Sequence, residues 1–327
     1  MIEKPFGRDL ASARKLNDDL HAHFSEGQIF RIDHFLGKEA LRSLLVSRFS
    51  NTFLEPVWNR NYVSSVKITM AEAFGVEDRG HFYDSVGTLK DVVQNHLLQM
   101  TSLIAMDQPV DEHSGSLRDE KVRVLKTVRT LTRDDMVRGQ YRGYRDIDGV
   151  ADDSDTETFV ALKLDLHSPR WAGVPFYIRT GKALEKTVTE WTVEFRTPPR
   201  PLFVDSIEHP PPHNKMRIMV KPEGRPEVTM LAKVPGEEMT VAPVALGPTA
   251  QLAGVDTEPY ELLIEEAMKG DPTLFAREDS VEESWRIVDD ILTDRPGVLS
   301  YDKGTWGPDE AARLAAPDGG WPTEDQV

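Results

Sequence analysis

The chain has 327 residues, enough for one large domain or two ordinary ones, and its lack of cysteine excludes disulfides, thiol nucleophiles and cysteine metal sites while fitting a cytoplasmic address. A formal net charge of −16 argues against non-specific nucleic-acid binding, so an anionic small molecule would need a local group of cations. No run of residues approaches the eighteen apolar positions of a membrane span, and the N-terminus lacks the basic-then-apolar plan of a signal peptide.

In chain order, Met1-Ile2-Glu3-Lys4-Pro5-Phe6-Gly7 reads as the end of a buried strand entering a turn. From Arg8 to Phe24, the residues Leu10, Ala13, Leu16, Leu20 and Phe24 fall on one helical face, and Gln28 to Ile32 reads as a strand. This α/β opening is too short to bury itself, so apolar positions such as Leu16 and Leu20 are expected to be exposed. A helix follows Lys38, with Leu41, Leu44, Leu45 and Phe49 at spacings of three and four, and it ends near the Asn51–Pro56 turn. Tyr62 to Phe74 alternates as a strand, placing Val66, Ile68 and Met70 on one face and Lys67 and Thr69 on the other.

Asp84 to Met106 reads as one continuous helix, and His96 lies on its apolar stripe with Leu89 and Val92. A polar ring facing the interior requires a hydrogen-bond partner, although a lone histidine there is more often structural. Asp111–Ser116 reads as a polar loop, Asp119 to Leu131 as a short helical turn with connecting structure, and Gly139 to Asp155 as a long excursion. Period-two patterns then dominate at Val160 to Leu166, Trp191 to Phe195, Met216 to Val220 and Val228 to Val234, with Val174 to Arg179 a short and mostly apolar run among them. They predict a large, mostly antiparallel sheet with one face buried. Pro198–Pro212 reads as an excursion between strands. Helices return at Pro259–Met268 and Glu278–Leu292, and the tail after Pro296 is expected to wrap the surface.

The stretch Arg31-Ile32-Asp33-His34-Phe35-Leu36-Gly37-Lys38-Glu39 links a strand to a helix and carries an acid, an imidazole and a lysine. The first amides of a helix lack partners and its dipole favours negative charge, so such a junction can meet an anion. By itself it reads first as a capped turn with a surface histidine.

Other segments narrow the reading. Lys4 follows a strand, Glu72 ends one, and Asp91-Val92-Val93-Gln94-Asn95-His96-Leu97-Leu98-Gln99 lies on a helix. Asp119-Glu120-Lys121-Val122, Gly139-Gln140-Tyr141, Trp171-Ala172-Gly173-Val174-Pro175-Phe176, Arg179-Thr180-Gly181-Lys182 and Thr305-Trp306-Gly307-Pro308 complete the series. In this order, over nearly the whole chain, the sequence resembles glucose-6-phosphate dehydrogenase.

The resemblance implies an α+β fold in which a large, mostly antiparallel sheet packs with helices. A remnant of a Rossmann-type domain would span residues 1–33, and a substrate-binding and oligomerisation domain residues 34–327. It also implies oxidation of D-glucose 6-phosphate to 6-phosphoglucono-1,5-lactone with NADP, the first step of the oxidative pentose phosphate pathway, in a cytoplasmic homodimer or homotetramer paired through the sheet, with no metal. His96 maps to the general base, which suits a group whose pKa lies near working pH. Asp33 maps to the acid that orients it, His34 and Lys38 to the phosphate site, and Glu72 and Asp91 to acceptors for sugar hydroxyls. Lys182 maps to a substrate-side lysine, and Lys4 to the lysine between substrate and nicotinamide. Glu72, Asp91 and Lys182 taken singly would pass as ordinary surface charges.

Some positions depart from the family pattern. Phe35 stands where tyrosine is usual, which removes one hydroxyl contact to phosphate. Thr187 replaces a frequent cation, for which Lys186 is the neighbouring substitute, and Met219 and Lys221 replace polar residues common in part of the family. No Gly-x-Gly-x-x-Gly occurs, so most of the coenzyme domain, on the order of 150 residues, is expected to lie outside this chain. The alternative is a non-catalytic fragment that binds sugar phosphate or docks onto full-length subunits.

Overall fold

In the computed structural model, residues 1–203, 214–221, 226–247 and 257–322 are described. The first part contains β1 (Ile2–Glu3), α1 (Leu10–His21), β2 (Arg31–Ile32), α2 (Glu39–Phe49), β3 (Val63–Ala71) and α3 (Gly80–Thr88). A π-helix (Leu89–Leu97) runs into α4 (Leu98–Ala105), and α5 (Ser114–Thr127), β4 (Met136–Tyr141), β5 (Phe159–Asp165), β6 (Pro175–Gly181) and β7 (Val188–Phe195) follow. Then come β8 (Lys215–Lys221), β9 (Pro226–Lys233), β10 (Val241–Leu246), α6 (Pro259–Lys269), α7 (Glu278–Thr293), β11 (Val298–Tyr301) and α8 (Asp309–Ala315).

Local chemistry explains several boundaries. Asp9 caps α1 through the Ser12 amide, and Ser12 returns a bond to the Asp9 backbone. Pro259 opens α6 where a missing amide costs nothing, and Gly270 closes it with φ 75°.

One nine-stranded sheet runs in the order β10-β9-β8-β7-β3-β6-β5-β4-β11. The β3–β6 and β4–β11 pairings are parallel and the others antiparallel. A separate parallel pair, β1 with β2, forms the α/β opening.

The main core lies where helices cover one face of the sheet, joining Leu44, Val93, Leu97, Ile104, Ile287 and Val288 to Val66, Ile68, Leu162, Ile178 and Trp191. A second core on the opposite face joins Tyr141, Phe159, Ala161 and Tyr177 to Ala311, Ala315 and Trp321. The central strands are therefore buried on both faces, not one. The tail makes the difference: it adds β11 to the sheet's edge and packs α8 and Trp321 on the second face instead of wrapping the surface. Lys67, read as outward-facing, is 1% exposed and donates to Glu194 (2.8 Å) and to the Asp318 carbonyl (2.7 Å).

Other expectations change as well. The α/β opening is not left bare: α1 packs on α7, Leu10 and Leu16 join the main core, and Trp285 donates to the Phe6 carbonyl at 2.8 Å. The helix read from Asp119 already begins at Ser114, and Gly139–Tyr141 belongs to β4. Strand β10 was not read from the sequence. Much of the proline-rich run lies outside the described residues.

The helix read from Asp84 to Met106 is three segments. Gly87, at φ 71° and ψ 169°, breaks it, and the next nine residues form the π-helix. In an α-helix, residues five apart are separated by about 140° around the axis. A π-helix bonds residue i to i+5 and brings such positions near alignment. Asp91 and His96 therefore face the same way.

Candidate active site

Two parallel strand pairs deliver the charged groups. Glu3 is in register with Ile32, so Lys4 and Asp33 leave β1 and β2 side by side. Ala71 is in register with Gly181, so Glu72 and Lys182 leave β3 and β6 together, and their side chains form an ion pair. The π-helix adds Asp91 and His96, and the turn His34–Gly37 adds His34 and leads to Lys38.

The groups converge on a cleft of about 460 Å³. Lys4, His34, Lys38, Glu72, Asp91, His96 and Lys182 all line it. Asp33 does not; it lies behind His96, 2% exposed. Asp33 Oδ1 meets His96 Nδ1 at 2.5 Å and also accepts from the Phe35 amide at 3.0 Å. On the other side of the ring, Lys4 Nζ sits 3.0 Å from His96 Nε2, and the same ammonium donates to the Asp91 carbonyl (2.9 Å) and to Asp91 Oδ1 (3.1 Å).

This network assigns the tautomer. An ammonium can only donate, so Nε2 accepts and the Nδ1 proton goes to Asp33. The imidazole thus turns its lone pair toward the cleft, held in orientation from behind by a carboxylate. Asp33, His34 and His96 bring ligand atoms within 4.8 Å of one another. However, Lys4 places a positive charge on the nitrogen a metal would need, which favours proton transfer over metal binding.

Electrostatics separate the two histidines. Burial works against a charged Asp33, but the His96 ring and the bonds from His96 and the Phe35 amide outweigh it and hold the carboxyl below its ordinary range. Burial pushes His34 down to about 4, and His96, Lys4 and Lys38 push the same way against Asp33. His34 is therefore neutral in the empty cleft. Its ring stacks on Tyr260 at 5.7 Å between centroids and meets His96 edge-on at 4.8 Å.

Lys38 is the residue before α2 and makes no side-chain cap to its first amides. Phe35 lies against His96 at 4.5 Å, with the Lys38 ammonium over its ring at 4.1 Å. Thr187 lines the cleft and accepts from the Ala73 amide. Lys186 does not substitute there; its ammonium lies over Trp306. Met219 is on β8 and does not line the cleft, and the Lys221 side chain lies outside what is described.

Sequence reading missed Arg79 and Lys90, which also line the cleft. Both occur in polar helical contexts where a cation normally faces water, and no local pattern marked them. With Lys4, Lys38 and Lys182 they form a concentration of positive charge within an acidic chain. A second cleft of about 360 Å³ adjoins the first and shares Lys4 and Asn95 with it.

Comparison with known proteins follows the same lines. Residues 45–322 match the family model of the glucose-6-phosphate dehydrogenase C-terminal domain, and residues 1–43 match that of its NAD binding domain. The chain is 43% identical to glucose-6-phosphate 1-dehydrogenase of Aggregatibacter actinomycetemcomitans, over 98% of this chain and 68% of that protein. It is 44% identical to glucose-6-phosphate 1-dehydrogenase 1 of Mycobacterium tuberculosis, with the same coverage. Among solved structures, glucose-6-phosphate 1-dehydrogenase from Mycobacterium avium is similar with a TM-score of 0.89 and 43% identity, covering 98% of this chain and 70% of that one. A glucose-6-phosphate dehydrogenase in complex with its substrate glucose-6-phosphate gives 0.90 at 37% identity, covering 99% and 69%.

Proposed function

The chain belongs to the glucose-6-phosphate dehydrogenase family, and we propose that its cleft binds D-glucose 6-phosphate for oxidation to 6-phosphoglucono-1,5-lactone. In this reading residues 1–33 close the coenzyme unit, and residues 34–327 form the substrate and assembly unit. The observation that carries the proposal is the Asp33–His96–Lys4 line, in which a buried acid fixes an imidazole whose Nε2 faces the cleft.

The phosphate sits at the entrance to α2, against Lys38 and His34. A dianion there favours the protonated form that His34 does not hold in the empty cleft. Glu72 and Asp91 accept from sugar hydroxyls, and Lys182 holds Glu72 in place from the substrate side. The C1 hydroxyl lies against His96 Nε2, which takes its proton, while Asp33 stabilises the resulting imidazolium. Lys4 moves from Nε2 toward the substrate oxygen as the hydroxyl binds, freeing Nε2, and its positive charge there stabilises the negative charge that develops on the oxygen as the proton leaves.

NADP supplies hydride acceptance when bound. Among this chain's residues, those suited to its reacting end line the second cleft: Lys4, Pro5, Arg8, Asn95 and Trp285. A cation, an amide and an indole fit a flat ring that bears a carboxamide. The first strand–helix turn of a Rossmann unit, which would hold the coenzyme phosphates, has no counterpart among these residues. Pairing of two copies through β9 and β10, where Met230, Val244 and Leu246 are exposed, belongs to the same reading, as does a cytoplasmic setting.

Calorimetry on the purified chain tests the substrate. Glucose 6-phosphate is expected to bind, glucose to bind far more weakly, and the double substitution Lys38→Ala with His34→Ala to erase the difference. Equal affinity for glucose and its phosphate ester would overturn the phosphate assignment. NADP reduction by the same chain, with and without the His96→Asn substitution, separates a catalyst from a sugar-phosphate binder.

A further inference from the structure

The wall between the two clefts carries a cation that the proposed mechanism leaves unused. Phe82, Val86 and Lys90 stand four positions apart on α3 and the start of the π-helix, and all three line both clefts. Lys90 is partly buried. Its ammonium makes no hydrogen bond and no ion pair with any described residue, and the acid that feels its charge is Asp9, the cap of α1. Lys4, in the same wall, is by contrast engaged by Asp91 and His96.

The π-helix explains the placement. Of its pairs five apart, Asp91 and His96 line the substrate cleft alone. The neighbouring pair, Lys90 and Asn95, lines both clefts, and the Asn95 side-chain amide donates to the Lys90 carbonyl at 3.3 Å. The two clefts also differ in charge. Glu3, Glu72 and Asp91 stand among the cations of the first. The second has Lys4, Arg8 and Lys90 and no carboxylate, in a chain with 55 acidic against 39 basic residues. Arg8 is exposed, and its guanidinium is likewise unengaged among the described residues. Between these cations the walls are apolar: Pro5, Phe6, Phe82, Val86 and Trp285.

An apolar slot bordered by unpaired cations fits a flat ring joined through a short spacer to a phosphate. We propose that Lys90, assisted by Arg8, binds the phosphate nearest the nicotinamide, so that the second cleft recognises the coenzyme's reacting end as a mononucleotide. The inference rests on the reading that this cleft receives that end of the coenzyme, and adds the anion to it. A lysine suits the task, because this phosphate is negative whatever lies beyond it in the dinucleotide and an ammonium meets it as a point charge. The position of Lys90 in the shared wall gives the contact its use. A phosphate held at the boundary limits how far the ring slides along the slot, and so fixes its distance from the sugar.

Nicotinamide mononucleotide and nicotinamide riboside differ by that phosphate alone, so NMR titrations of the purified chain with each test the proposal without turnover. The mononucleotide is expected to bind on the order of tenfold more tightly than the riboside. Lys90→Met is expected to remove most of that difference, Lys90→Arg to preserve it and Arg8→Met to remove a smaller part. A mononucleotide preference unchanged in Lys90→Met would overturn the proposal; if that variant does not fold, Lys90→Gln, which keeps a polar stem without the charge, decides by the same reading. Equal binding of the two ligands to the wild type would overturn the proposal and leave the place of the ring standing. Binding of neither at millimolar concentration would overturn both. A loss of glucose 6-phosphate affinity in Lys90→Met as large as that of the mononucleotide would assign the ammonium to the sugar phosphate, which overturns it as well. Neither titration contains sugar phosphate, so a wrong substrate assignment would leave their results standing.

Discussion

His96 Nδ1 and Asp33 Oδ1 lie 2.5 Å apart although 63 positions separate them in the chain. The acid comes from the end of a two-residue strand and the imidazole from a π-helix, so neither element alone prepares the pair. Replacing Asp33 with Asn removes the charge and allows the amide to donate to Nδ1, which would put the imidazole proton on Nε2. We expect kcat for lactone formation to fall on the order of 10³-fold with little change in KM. Steady-state kinetics on an NADP-reducing form of the protein checks this; a fall in kcat of less than tenfold would remove Asp33 from its orienting role.

His34 predicts a pH dependence of stability. Its pKa in the folded chain is about 4, against an ordinary value of 6.5, because burial and neighbouring positive charge disfavour its protonated form. The unfolded chain therefore binds this proton more readily. The contribution is complete above pH 6.5 and is lost as the pH falls from 6.5 through 4. His34→Gln should flatten the decline of the urea midpoint over that window. Parallel curves for variant and wild type would show that another group governs the acid limb.

Much of the cleft was legible only through the ordered series of segments that resembles the family. Lys4, Asp33, Glu72 and Lys182 each sit where a strand ends, but taken singly Glu72 and Lys182 would pass as surface charges. Arg79 and Lys90 were not legible, since a cation on a polar helix face looks the same whether it meets water or a cleft. The π-helix was invisible for a different reason: its apolar spacing is close enough to 3.6 to pass for an α-helix, and only the backbone shows that Asp91 and His96 align. The two-sided sheet was missed because the residues covering its second face come more than a hundred positions later, from a tail whose short apolar runs predicted no core.

Gly87 holds the start of that π-helix. Its φ of 71° suits glycine, and a Cβ there would come 2.5 Å from Glu157 Oε1. Glu157 cannot easily move, because Arg138 holds its other oxygen at 2.9 Å and the Leu89 amide bonds to the first. Gly87→Ala is expected to cost about 1–3 kcal/mol by urea denaturation, from the backbone conformation and the clash together. Sugar-phosphate affinity should fall as well, since the turn sets the phase of Asp91 and His96. A variant with wild-type stability would show that the helix can be entered from an ordinary backbone conformation.

Trp321 tests whether the tail is part of the core or an ornament on it. Its indole donates to the Ala311 carbonyl at 2.7 Å, and its ring covers the Arg179 guanidinium at 4.8 Å, with Trp306 on the same cation at 4.1 Å. Nearby, Asp318 accepts from Tyr177 at 2.6 Å, and its carbonyl takes a bond from buried Lys67. Trp321→Ala would leave a cavity beside cations that depend on this cover. Large aromatic truncations in cores cost about 3–5 kcal/mol, and the low end applies here because the ring is at the margin, 9% exposed. None of these residues lines the cleft, so affinity for glucose 6-phosphate should be retained at a temperature where the variant is still folded. Calorimetric unfolding and binding measured on one preparation decide the matter. An unchanged unfolding midpoint would make the tail peripheral, whereas lost stability with retained binding would place it in the scaffold that holds β3 and β6, and through them Glu72 and Lys182, in register.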